Sequence, residues 1–198
     1  MEYAEVVRRR RMVRRFTGQP VGDDVRERIL NAAVRGPSAG FVQGCSLLVL
    51  EGPEQTGRFW VASGADLEAP DHWLEGMSRA PLIVLPLSSK DAYLDRYAEP
   101  DKGWTDRDEG HWPVPYWHVD AGMAALLMLL AAVDEGLGGC FFGVPRPAIQ
   151  PVREAFGVPP EWSPVGAVAI GRPDPTAPSR PRRPRKPLDE VVHRGAWR

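Results

Sequence analysis

Three short apolar runs, each bounded by turn-forming residues, stand out along the chain. A run of four to eight apolar residues between glycines or prolines is typical of a buried strand and is too short for an independent helix. We therefore predict three strands, within SLLVLEG at 46–52, PLIVLPLS at 81–88 and GAVAIG at 166–171.

Apolar residues at helical spacing predict two helices before the first strand. The second of them has a cap at Asp23 or Asp24 and ends at Gly36-Pro37. The apolar positions are Tyr3, Val6 and Val7 in the first helix, and Val25, Ile29, Ala32 and Ala33 in the second.

A long helix is predicted to begin near His118 or Val119 and to end near Asp134. It is hydrophobic almost all round, which is typical of a helix in the middle of a core. Its longest apolar run, 121–133, is shorter than the roughly 20 residues that span a membrane, so we expect no membrane partner. A further helix carries Ile149, Val152 and Phe156 on one side and stops before Gly157 and Pro159.

Two segments differ in composition from the rest of the chain. Residues 90–115 are rich in charge, aromatics and turn formers, which favours a lid or variable loop within a core of residues 1–171. Residues 172–198 begin with six prolines between Arg172 and Pro187, so this stretch is neither a helix nor a central strand. In polyproline conformation it would reach on the order of 50 Å, far enough to cross a neighbouring subunit.

The composition is that of one globular domain. The chain has 198 residues, of which 43% are hydrophobic and 26% charged. Its two cysteines, Cys45 and Cys140, are too few for a disulfide framework, so a reducing compartment and a cytoplasmic location are expected.

Six arginines lie within eight positions near the start, at 8–11, 14 and 15, although the formal net charge is −1. Clustered arginines suit nucleic-acid phosphates, but the near-neutral total and the interleaved apolar residues disfavour that partner. Two readings stay open: a solvated basic helix face, or guanidinium forks presented to a small phosphorylated ligand.

The histidines indicate no metal site. His72, His111, His118 and His193 are scattered, and no pair has the spacing of metal ligands. No Ser-His-Asp order stands out either, so we expect no metal and no hydrolytic triad.

Four separated segments together resemble the nitroreductase family of flavoproteins: RRRMVRRF, GPSAGFVQ, DEGLGGCFFG and RKPLDEVVH. The resemblance spans almost the whole chain. It implies an α+β fold, a nitroreductase-like α/β sandwich with a central mixed sheet, and an intertwined homodimer with exchanged C-terminal arms. It also implies two FMN molecules in the dimer interface.

The resemblance assigns cofactor contacts to four stretches. Arg10, Arg11 and Arg14 match the family's phosphate and ribityl contacts, and Met12, in place of a frequent serine, offers only its backbone. Pro37, Ser38, Ala39 and Gly40 match a loop close to the flavin, although an ordinary loop explains the glycine and proline equally well. Phe141, Phe142 and Gly143 match a segment whose backbone amides approach the flavin ring. Arg183 and Arg185 match basic residues that reach the phosphate, with Lys186 and Arg182 as alternatives.

The pocket departs from the family's pattern. Where relatives have Asn-x-Gln-Pro-Trp, this chain has Phe41-Val42-Gln43-Gly44-Cys45, which makes nitroaromatic reduction doubtful as the physiological reaction. We expect Phe41, Tyr116 and Trp117 to meet the substrate. The aromatics of 93–117 form either a small core of the lid or a stacking wall over the flavin, and the acidic residues there would repel anions.

These features lead to an FMN-dependent enzyme that passes hydride from NAD(P)H through the flavin to an electron-poor organic acceptor, by ping-pong exchange at one site. Two alternatives need the same arginines and glycine-bearing loops. One is a flavin or deazaflavin binding protein without turnover, and the other is a flavin-fragmenting or substrate-dehydrogenating enzyme on the same fold.

Overall fold

The fold is built on one antiparallel sheet. A computed structural model describes residues 1–178 and 183–197. The strand order is β1-β2-β5-β3, and the short β4 also pairs with β2. The strands are β1 (Cys45–Glu51), β2 (Leu82–Ser88), β3 (Gly138–Phe142), β4 (Ser163–Pro164) and β5 (Ala167–Gly171).

Helices cover both faces of this sheet, because alternate strand residues point to opposite sides. Ile83, Leu85 and Leu87 pack with one set of helices, and Leu82 and Val84 with another. The described helices are α1 (Tyr3–Arg9), α2 (Asp23–Ala33), α3 (Gly52–Ala62), α4 (His72–Met77), α5 (Lys90–Ala98), α6 (Tyr116–Asp134), α7 (Ile149–Phe156) and α8 (Leu188–Val191). Helices α3, α4 and α7 lie on the first face, and α2 and α6 on the second.

The three predicted strands and the helices named in advance are confirmed, but the sheet is not mixed. Every ladder among the described residues is antiparallel, and the single parallel pairing is an isolated bridge between Met12 and Gly139. A parallel pair needs a crossover that returns the chain to the opposite end of the sheet. Here the excursion through α3 and α4 returns to the same end, where the Gly52 N–H donates to the Pro81 carbonyl over 2.9 Å.

Helix α6 begins at Tyr116, two residues before the predicted start. It is long and apolar enough to cross a bilayer by length and composition. In this fold it is a core helix, because Ala124, Ala125, Met128 and Ala132 are buried against α2 and the sheet.

Residues 90–115 contain regular secondary structure and are not one continuous loop. Their first nine residues form α5, and a short 3-10 turn, Glu109–His111, follows. The C-terminal segment is joined to the core at its start, where Pro173 bridges Phe16 and the Asp174 N–H donates to the Arg15 carbonyl over 3.0 Å.

Candidate functional site

The six arginines near the start divide into two groups. Arg8 and Arg9 pair with Glu5 one helical turn away, and Arg15 pairs with Glu75 on α4 at 3.0 Å. Within residues 1–178 and 183–197, no carboxylate and no side-chain hydrogen bond engages the other three, Arg10, Arg11 and Arg14. The three arginines matched to the phosphate are therefore the three with their donors available.

These arginines run along the outer edge of β3. The Val13 N–H donates to the Gly139 carbonyl over 2.9 Å, next to the bridge between Met12 and Gly139. Arg14 lies near Cys140, where its positive charge partly offsets the burial that raises the pKa of the thiol. The Met12 side chain packs against the core, so only its backbone remains for the predicted cofactor contact.

Successive residues of β3 direct their backbone N–H and C=O groups alternately toward the arginine segment and toward β5. Since the Gly139 carbonyl points to the arginine segment, Phe141 directs its backbone groups the same way, and Cys140 and Phe142 face β5. The side chain of Phe142 is core, stacked on Trp60 at 5.3 Å between ring centroids. Of the matched pair, Phe141 is therefore the one whose N–H faces the open edge.

The loop from Pro37 to Phe41 has an unusual backbone. Gly40 has φ +60°, and Phe41 also lies in the left-handed region with φ +53° although it carries a Cβ. The Ser38 hydroxyl oxygen accepts the Gln43 N–H over 3.0 Å, which leaves the hydroxyl hydrogen for a ligand. Phe41 is 77% exposed, so a large aromatic in a strained conformation faces solvent in one chain.

The arginine segment and this loop lie at different ends of α6. The Ala39 N–H donates to Asp120 in the first turns of the helix, whereas Gly139 faces Leu129. Nine residues at 1.5 Å per residue separate these two helix positions by about 14 Å. One chain therefore holds the matched residues in two separate groups and does not bring all of them into mutual contact.

The aromatics of the variable segment pack mainly on one another. Trp112 lies 4.4 Å from Tyr97 and 5.5 Å from Tyr116, and Trp117 lies 6.3 Å from Tyr93, between ring centroids. Trp104 joins them through Tyr97 at 4.8 Å. The segment thus has its own small core, to which the expected substrate residues Tyr116 and Trp117 belong.

Part of the acidic surface expected on this segment is paired within it. Arg107 pairs with Asp95 at 2.8 Å, and Arg96 pairs with Asp101 at 2.7 Å. Lys90 likewise pairs with Glu109, and the His111 ring lies within hydrogen-bond distance of Asp106. Residues 90–117 nevertheless carry seven aspartates and glutamates against four lysines and arginines, so the expectation that the segment repels anions stays a prediction.

The tail arginines that the structure describes lie on the surface of one chain. Arg183, Arg185 and Lys186 are exposed, and no salt bridge among the described residues involves them. Arg182, the alternative to these residues, lies outside the described residues.

Asp120 was not predicted as a site residue. It is 6% exposed, and its carboxylate accepts hydrogen bonds from the Ala39 N–H and the Tyr93 hydroxyl. A signal was present, because Asp120 is the one carboxylate inside the apolar sequence from Tyr116 to Val133, and buried carboxylates require partners. The sequence does not show which donors it meets.

Two helical layers around an antiparallel sheet, with an arginine-bearing segment bridged to its edge strand, define an α+β sandwich. The model of the nitroreductase family matches residues 7–172, and the chain belongs to that family. It is an oxidoreductase of the nitroreductase type.

A relative agrees with this membership, and solved structures share the fold. An Escherichia coli (strain K12) protein named "Putative NAD(P)H nitroreductase YdjA" is 29% identical over 177 residues, covering 85% of this chain and 86% of its own. A crystal structure of a nitroreductase family protein from Clostridium difficile 630 is 22% identical, covers 100% of both chains and has a TM-score of 0.74. The structure of Bacillus megaterium NfrA1 is 17% identical, has a TM-score of 0.77 and covers 100% of this chain and 76% of its own.

Proposed function

We propose that this protein is a cytoplasmic, homodimeric, FMN-dependent oxidoreductase that takes hydride from NAD(P)H and passes it to an electron-poor organic acceptor such as a quinone or a nitro compound. The observation that carries the proposal is the division of the arginines. Arg10, Arg11 and Arg14 have no acidic partner among the described residues and lie beside the open edge of β3, while their neighbours are paired.

The donor set beside β3 fits a flavin mononucleotide. Guanidinium forks bind a phosphate dianion through charge-assisted pairs of hydrogen bonds, and the tail residues Arg183 and Arg185 would add to them in a dimer. The Phe141 N–H on the same strand edge, about 7 Å along from Gly139, can donate to a polar atom of the ring system. When bound, FMN supplies the hydride chemistry, and these residues bind and orient it.

The dimer is supported by surfaces that one chain leaves open. By the alternation along β1, Cys45, Leu47 and Val49 direct their backbone groups away from β2, and no described strand pairs with them. On α6, Val119, Met123 and Leu126 are exposed apolar residues. A second copy, with its arm of residues 172–198, would cover such surfaces and bring the loop of one chain to the arginines of the other.

The acceptor would bind near the exposed Phe41, with Tyr116 and Trp117 of the aromatic cluster beside it. Aromatic side chains favour flat, electron-poor molecules through stacking. The excess of negative charge in residues 90–117 would disfavour anionic acceptors.

The test is the absorbance spectrum of the purified protein, followed by anaerobic addition of NADH or NADPH. We expect a bound flavin spectrum that bleaches within seconds and returns when a quinone is added. A bound flavin that neither nicotinamide reduces would support the alternative of a binding protein without turnover. A spectrum without flavin, after incubation with excess FMN, would contradict the proposal.

A further inference from the structure

We propose that Asp120 is a positioning residue that sets the shape of the flavin-facing loop, Pro37 to Phe41, and that α5 braces this loop instead of acting as a mobile gate. The inference rests on the proposed function for the statement that the loop faces a flavin. The contacts of Asp120 and α5 with the loop, called the clamp below, are a property of the folded chain.

One carboxylate oxygen joins three segments of the structure. Asp120 Oδ2, on α6, accepts the Ala39 N–H over 2.8 Å and the Tyr93 hydroxyl over 2.7 Å. Tyr93, on α5, is fully buried. Because burying a carboxylate is costly unless it is hydrogen-bonded, this arrangement holds both donors in place.

Two tyrosines of α5 pack against two glycines, Gly40 in the loop and Gly44 just after it. Tyr93 and Tyr97 are four residues apart and share one helix face. A Cβ on Gly44 would lie 2.5 Å from Tyr93 Cε2, and a Cβ on Gly40 would lie 2.8 Å from Tyr97 Cε2. The glycine at position 44, a departure from the family's pattern, is thus explained by the ring that occupies the space beside it.

A further contact holds the loop from the same helix. Arg96 Nε donates to the Gly40 carbonyl over 3.2 Å, and the guanidinium is itself fixed by Asp101 at 2.7 and 2.8 Å. The loop is therefore held at Ala39 by α6 and at Gly40 by α5.

The backbone strain of the loop explains why it needs such a clamp. Phe41 and Gln43 have φ of +53° and +54°, a region that non-glycine residues occupy only when their surroundings over-determine it. The clamp uses the Ala39 N–H and the Gly40 carbonyl. It leaves the Ser38 hydroxyl hydrogen and the Gly40 N–H to face a ligand, so ring binding depends on Asp120 without any contact between Asp120 and the ring.

The variants for the test are Asp120→Asn, Asp120→Ala and Tyr93→Phe. Asparagine keeps the size of the side chain and an oxygen that can accept two hydrogen bonds, but it removes the negative charge that strengthens both of them. Tyr93→Phe removes only one donor. The matched control is Glu161→Gln, which also removes one negative charge, from an exposed side chain with no salt bridge among the described residues.

Hydrogen exchange of the flavin-free full chain is the first readout. We expect the peptide covering residues 36–44 to exchange at least tenfold faster in both Asp120 variants and about threefold faster in Tyr93→Phe, with the α7 peptide unchanged. If Asp120→Ala does not fold, Asp120→Asn and Tyr93→Phe carry the test. Unchanged exchange in both of those, or faster exchange of 90–98 than of 36–44 in the unaltered chain, would overturn the proposal.

Flavin affinity is the second readout, measured by fluorescence titration with FMN and with riboflavin. We expect Asp120→Asn to weaken both by a similar factor of about ten, since the loop would contact the ring and not the phosphate. Arg14→Ala should weaken FMN alone. Equal affinities in Asp120→Asn and the unaltered protein would refute the positioning role. Failure of the unaltered protein to bind either flavin would instead refute the proposed function, with the exchange experiment still deciding the clamp.

Discussion

Gly138 and Val13 are packed so closely that a Cβ on the glycine would lie 2.5 Å from Val13 Cγ2. The same Cβ would lie 3.1 Å from Pro173, at the base of the C-terminal segment. The absence of a side chain at the start of β3 therefore allows the arginine segment and the tail to approach the sheet together.

Replacing Gly138 with alanine should destabilise the protein and loosen the arginine segment. Overpacking of this kind costs about 1–3 kcal/mol, and the Val13 hydrogen bond to Gly139 would be lost or lengthened. The control is Gly57→Ala in α3, where a Cβ meets open space and alanine should stabilise by about 0.5–1 kcal/mol. Thermal unfolding and flavin content would be compared, and equal melting temperatures for Gly138→Ala and the unaltered chain would contradict the expectation.

Removing Arg14 should weaken FMN binding much more than removing Arg8. A charge-assisted hydrogen bond contributes about 2 kcal/mol, which corresponds to roughly 30-fold in Kd. Arg8→Ala should stay within about twofold, because that side chain pairs with Glu5. Titration of the flavin-free protein measures both. Full flavin occupancy in an Arg10, Arg11 and Arg14 triple alanine variant would show that the phosphate binds elsewhere.

Deleting residues 178–198 should leave a flavin-poor protein that dimerises weakly. This cut keeps the bridge between Phe16 and Pro173 and the turn at Asp174, so that the loss is confined to the arm beyond them. The arm is expected to cover a second copy, and dimer stability and flavin binding are then linked. Sedimentation and heat resistance would be measured with and without FMN. A truncated dimer of unchanged stability and colour would disprove the role of the arm.

The protein should become less stable in acid, because the carboxylates that bind Arg28 are then protonated. Its guanidinium binds Glu135 at 2.7 and 2.8 Å and Asp24 at 3.0 Å, and hydrogen bonds from Arg28 lower the pKa of both carboxyls. A lowered folded pKa gives stability that is present above the unfolded pKa values, 4.5 and 3.8, and is lost as the pH falls through the folded ones.

The corresponding measurement is the drop in melting temperature between pH 7 and pH 3.5. We expect a smaller drop in Arg28→Ala than in the unaltered chain, because the variant no longer holds these carboxylates in their charged form. Arg35→Ala, which removes an exposed arginine with no salt bridge among the described residues, should keep the full drop. Identical drops in all three proteins would mean that the pairing of Arg28 with Asp24 and Glu135 contributes nothing to the pH dependence of stability.

The sequence by itself determined the elements whose signals are local. The strand at 81–88 and the helix of Ile149, Val152 and Phe156 follow from apolar spacing and from the glycine and proline residues that end them. The arginine cluster and the glycine-bearing loop were visible as composition, and their order along the chain was enough to indicate the family.

Only the tertiary structure decided the rest, because the deciding contacts are distant in sequence. GLGGCFFG has little strand propensity, and β3 forms because it pairs with β5, about thirty residues later. Arg15 is paired and Arg14 is not because Glu75 on α4 reaches one of them. Asp120 could be marked from the sequence as an isolated carboxylate in an apolar helix. Its role depends on Ala39 and Tyr93, which folding alone brings to one oxygen atom.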